Sequence, residues 1–149
     1  MRYLLITLLV TLGWTCSKDQ PNFMKGDFFI YGVYHGYCAG ECVTLFKLTS
    51  TNLYMDDLAR LDPDNLKFQE TPLPDSSYQK ALVLWEDFPE AMWEEPERLG
   101  MPDAHDQGGY FIRIKEGNKE RDWYIDTVLE RLPDYVQEYI GKAQSITLP

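Results

Sequence analysis

Residues 110–126 restrict the possible folds of this chain more than any other segment. Tyr110, Ile112 and Ile114 alternate with Arg113 and Lys115, the period of two expected of a strand with one buried face. Glu116-Gly117-Asn118-Lys119 supplies turn residues, and the stretch from Arg121 to Asp126 returns. A hairpin centred on Gly117-Asn118 sets Ile112 against Trp123 and Tyr110 against Ile125 on one face, with Arg113 opposite Asp122 on the other. Sliding the pairing by one residue would move one strand's apolar side chains among the other's charges, so the register is dictated locally. A ribbon with one apolar face needs a cover, which the rest of the chain must provide.

Three further segments read as strands. Phe28-Phe29-Ile30-Tyr31-Gly32-Val33-Tyr34 is apolar on both faces and fits a central strand, while residues 42–48 and Leu53-Tyr54-Met55 complete a meander. Residues 61–74 hold three prolines and read as loop, with a short edge strand at Leu66-Lys67-Phe68. Asp75 or Ser76 can cap a helix whose Tyr78, Leu82, Trp85 and Phe88 share one face, and Pro89 ends it. A single helical turn is expected near Ala91-Met92-Trp93. Pro133 suits the first turn of a last helix, and Tyr135, Val136, Tyr139, Ile140, Ala143 and Ile146 form its buried stripe. The expected fold is α+β: an antiparallel sheet of about five strands, a meander plus a C-terminal hairpin, packed against two helices.

The 44% of hydrophobic and 14% of aromatic residues exclude a disordered chain. A net charge of −10 argues against nucleic acid, whose binders need a basic footprint, and against attraction to anionic lipid.

The N-terminus carries an address. Arg2 precedes the apolar run 3–12, and Gly13-Trp14-Thr15 leads into Cys16 and the polar Ser17-Lys18-Asp19-Gln20. The run is too short to cross a bilayer and has the order of a secretory signal peptide. It resembles a bacterial lipoprotein signal, which implies that Cys16 is lipidated and becomes the new N-terminus. The expected organisation is a signal peptide at 1–15, a lipidated terminus and tether at 16–25, and one α+β domain at 26–149. The expected location is the bacterial cell envelope, with the chain lipid-anchored at the outer membrane. Its expected partners are that membrane and a protein or glycan of the envelope.

Two loops hold the chemically distinctive residues: 35–42, with His35, Cys38 and Cys42, and 100–109, with Asp103, His105 and Asp106. In an oxidising compartment Cys38 and Cys42 favour a disulfide over free thiols. Gly40 permits the turn that brings their Cα atoms within bonding range. The alternative is a metal site from His35, Cys38, Cys42 and His105, in a metal-binding or hydrolytic protein assisted by Asp103 and Asp106. Neither an EF-hand spacing nor a G-x-S-x-G nucleophile motif is present, so no cofactor and no catalytic residue is expected. Asp103, His105 and Asp106 read first as a turn feeding the strand at Tyr110. The carboxylates Glu86, Asp87, Glu90, Glu94 and Glu95 read as a solvated face.

Cys38-Ala39-Gly40-Glu41-Cys42 with Phe46, and Pro102-Asp103 and Asp106-Gln107-Gly108-Gly109 with Tyr110, resemble a group of small bacterial lipoproteins. These combine a C-x-G-x-C segment with a later P-D-x-x-D-x-G-G segment before a Tyr-rich hairpin. Ala104 and His105 stand where a further cysteine can follow the Pro-Asp, which leaves no second disulfide or four-thiol site. The resemblance implies the lipid anchor and no particular activity.

Overall fold

The computed structural model describes Phe23 and residues 25–149. The signal peptide, Cys16 and the tether apart from Phe23 and Lys25 lie outside the described residues. Along the chain run β1 (Phe28–Tyr34), β2 (Val43–Leu48), β3 (Leu53–Met55), α1 (Asp75–Glu86), β4 (Arg98–Leu99), β5 (Gly109–Glu116), β6 (Lys119–Asp126) and α2 (Asp134–Ser145). The fold is α+β. Its strands make one sheet in the order β3-β2-β1-β5-β6-β4, so the meander and the hairpin join through the antiparallel pair β1–β5.

Two expectations are corrected. The sheet has six strands rather than five, and it is mixed rather than purely antiparallel, because β4 pairs parallel with β6. A two-residue strand carries no periodicity, and its partner lies far downstream, so no local pattern marks it. The edge strand expected at 66–68 is reduced to a bridge between Phe68 and Asp56. Asp62 caps a 3-10 turn at Pro63–Asn65 instead, and Arg113 fastens this segment by donating to the Pro63 carbonyl at 2.9 Å.

The hairpin has the expected register: Ile112 faces Trp123, Tyr110 faces Ile125, and Arg113 faces Asp122. Arg113 binds Asp122 through two hydrogen bonds of 2.6 Å from Nε and Nη2. One sheet face carries Phe29, Tyr31, Phe46, Leu48, Ile112, Ile114, Trp123 and Ile125 in a single core with Ala81 and Leu84 of α1 and Val136, Tyr139 and Ile140 of α2. The other face packs Ile30, Tyr34, Val43, Leu45 and Phe111 under Leu58 and under Leu61, Leu66 and Phe68 of the proline-rich loop. β1 is therefore covered on both sides, as its two-faced apolar sequence requires.

Gly32 lies where β1 and β2 approach too closely for a side chain. A Cβ there would fall 1.9 Å from the Thr44 carbonyl oxygen.

Both helices start differently from the expectation. Pro74 and Pro133 are the N-caps and no side chain caps either helix; the Pro74 carbonyl accepts from Ser77 and Tyr78 in place of a cap at Asp75 or Ser76. Asp75 and Asp134 occupy the first turns, where a carboxylate complements the helix dipole. The expected α2 stripe is buried at Val136, Tyr139 and Ile140. In α1 the most deeply buried residues are Ala81 and Leu84, with Leu82 close behind, while Tyr78 and Trp85 are half-buried. Bulk points to the aromatic residues, but the closest approach to the sheet is taken by small and branched side chains.

Candidate functional site

The two loops singled out in the sequence meet at one end of the sheet. β1 ends at Tyr34, and its partner Gly109 opens β5, so the chain that leaves β1 and the chain that enters β5 run side by side. A Cβ on Gly36 would fall 1.9 Å from Asp103 Oδ2, and one on Gly108 would fall 2.5 Å from His35 Nδ1. At Gly108 the backbone itself is close, since the same Cβ would fall 2.6 Å from the Tyr34 carbonyl oxygen, and its φ of 81° also favours glycine. Cys38 and Cys42 are joined in a disulfide with their Cα atoms 5.8 Å apart. The His35 amide donates to the Cys42 carbonyl at 2.8 Å, extending the β1–β2 ladder to the bridge. Arg60 closes the turn from outside by donating to the Gly36 and Cys38 carbonyls, both at 3.3 Å.

Asp103 holds the second loop by its backbone amide, which donates to the Gly108 carbonyl at 2.8 Å, and by Oδ1, which accepts from the Gly108 amide at 3.0 Å. This captures an amide five residues on, a wider reach than the simple turn expected from the sequence. Asp103, His105 and Asp106 are the non-glycine residues with positive φ among those described, at 58°, 57° and 60°. Aspartate and histidine tolerate this region better than most residues, yet each such position costs about 1 kcal/mol or more.

Asp126, at the end of β6, organises the loop although nothing in the sequence marks it. It is fully buried. Oδ2 accepts from the Met101 amide at 2.9 Å, and Oδ1 accepts from Gln107 Nε2 at 2.8 Å and the Val128 amide at 2.9 Å. Burial raises this carboxyl, but the Val128 and Met101 amides and the Arg131 charge lower it further, and the net value lies below the ordinary aspartate range.

The geometry limits what these residues do chemically. The disulfide occupies both thiols of the alternative metal set. His105 and Asp106 are exposed at the loop tip, and no group of three or more His, Cys, Asp or Glu side chains is arranged for a metal among the described residues. Tyr34, packed against Gly109, has its phenol pushed up to about 12, chiefly by burial, with Arg98 opposing and Asp103 adding to the rise. It is a neutral hydrogen-bonding group at physiological pH. No family model and no curated protein matches the sequence.

Beside this end of the sheet lies an apolar cavity of about 380 Å³. Val33, Thr44 and Tyr110 line its sheet side, and Ala143, Ile146 and Leu148 of α2 and the tail line the other. Lys80 holds the tail by donating to the Thr147 carbonyl at 3.3 Å, and Gln144 donates to the Tyr110 hydroxyl. Tyr31 is also on the wall; its buried hydroxyl has no hydrogen-bond partner among the described residues. Val33 is 40% exposed because neither helix extends over it. Sequence reasoning missed this space, since it arises only where the end of α2 and the tail pass over the interior strands β1, β2 and β5. No helix among the described residues is long and apolar enough to cross a membrane.

Proposed function

We propose that this chain is a membrane-anchored bacterial lipoprotein whose domain serves binding rather than catalysis, and that the cavity under α2 receives a small apolar ligand. The cavity carries the reading. Its volume of about 380 Å³ falls in the range of ligand sites, and its apolar walls with a few polar groups at the rim match their usual chemistry. Thr44, Gln144 and Thr147 supply the polar groups among its lining residues, and the pattern of residues 1–16 supports the anchor.

The cavity is tested with a neutral environment-sensitive dye, Nile red. The protein should enhance its emission saturably, and Ala143→Trp, which places a bulky ring on the wall near the helix end, should abolish the saturable part without altering the far-ultraviolet circular dichroism. Dye emission that rises only linearly with protein would reject the cavity as a binding site.

The anchor is tested separately. Cys16→Ser should move the protein from the membrane to the soluble fraction of the native host. A wild-type protein already soluble and starting beyond Cys16 would reject the lipoprotein assignment.

A further inference from the structure

A second recess lies away from the loops, where the Pro89–Glu94 segment folds over the turn end of the hairpin. It encloses about 280 Å³ between Trp85, Phe88 and Trp93, with Ile114 in the wall and Glu90 and Glu116 among its lining groups. The rings are set by the core beneath. Phe88 meets Trp93 edge-on with centroids 6.3 Å apart, and Trp93 packs against the buried Trp123 at 5.5 Å. Arg121 donates to the Trp93 and Glu95 carbonyls, which fixes the segment to β6.

Two observations indicate what this recess accepts. Lys119 places its ammonium 5.7 Å from the Trp93 ring centroid, and the next cation on the same strand face, Arg121, lies 5.6 Å from that of Trp123. The ring face thus already takes a positive charge from the chain itself. Glu90 and Glu116 form no ion pair within 4.0 Å among the described residues, whose pairs are Arg113–Asp122 and Lys142–Asp87, and the cation directly across the hairpin from Glu116 is Lys119 itself. Three aromatic rings with two unpaired carboxylates attract a cation that is too large and too weakly hydrated to prefer water. The chain's net charge of −10 favours the encounter.

We propose that this recess binds a methylated ammonium group, with Lys119 as the internal cation that it displaces. The carboxylates that read as a solvated face in the sequence include, in Glu90, one wall of a binding site.

The test is titration of the full chain with choline chloride, followed by tryptophan emission, against potassium chloride at equal ionic strength. Choline should give a saturable change that potassium does not. Trp93→Leu should weaken binding about tenfold by removing the principal ring. Lys119→Gln, at an exposed position, should strengthen it about threefold, because a competing like charge leaves the site. A residue with only a structural role would not tighten binding when replaced. Phe23, stacked on Trp85 at 4.2 Å, stands seven residues after Cys16, within about 25 Å of extended chain. The group's source is resolved with Cys16→Ser protein and phosphatidylcholine vesicles. Co-sedimentation reversed by choline assigns the group to a lipid headgroup, and its absence assigns it to a free ion. A response equal to that of potassium, a response to glucose in place of choline, or unchanged affinity in Lys119→Gln would overturn the proposal. Because the dye and choline report on different recesses, failure of one leaves the other standing.

Discussion

Replacing Trp123 with alanine should cost about 3–5 kcal/mol of folding stability, the usual loss for a large buried aromatic residue. The indole is fully buried and lies between Phe88 at 5.6 Å and Trp93 at 5.5 Å. Truncation would leave a void bordered by two other rings, both held by their own contacts, so collapse into the space is limited. The indole Nε1 has no hydrogen-bond partner among the described residues, and the expected loss is therefore one of packing alone. Trp123→Phe, which keeps a ring and removes the unpartnered N–H, should lose less than half as much. Chemical denaturation followed by circular dichroism measures both. A loss below about 1 kcal/mol for Trp123→Ala would mean that the indole is exposed and that the hairpin presents it to a partner.

Asp126→Asn should destabilise the protein by about 2–4 kcal/mol, the weight of one or two hydrogen bonds to a buried charge and of a donor left facing a donor. The carboxylate receives hydrogen bonds on both oxygens, so either orientation of an amide turns an N–H toward a donor. The effect has a defined pH dependence. The folded-state value of Asp126 is lowered, so its stabilisation is complete above about 4, the ordinary aspartate value, and is lost as pH falls through the lower folded value. The stability gap between wild type and Asp126→Asn should be constant from neutral pH down to about 4 and shrink below it. A gap that stays level under more acid conditions would show that the carboxylate gains nothing from its charge. Faster amide exchange at Met101 and Val128 in the variant would place the loss in the loop rather than in the sheet.

Disulfide, hairpin and last helix were legible in the residues because each rests on neighbours along the chain. Alternation, a Gly-Asn turn and an opposite-charge pair set the register of β5 and β6 within one short segment. The stripe of α2 follows from helical spacing, and the Cys38–Cys42 bridge from a four-residue separation across a glycine turn. The anchor at Cys16 rests on sequence pattern alone. Other features had no local cause. β4 joins the sheet through two residues whose partners, Tyr124 and Ile125, come much later. Asp126 became the organiser of the Gly100–Gly109 loop only because the end of β6 arrives beneath it, and the same carboxylate on an exposed turn would do nothing of the kind. Glu90 read as a solvated charge and Glu116 as a turn residue until the fold set them against Trp85, Phe88 and Trp93. Periodicity, turn chemistry and short loops are properties of neighbouring residues, and the sequence by itself determined those. Which distant groups share a low-dielectric space depends on how the elements pack, and only the tertiary structure decided the mixed sheet, the buried carboxylate and the two recesses.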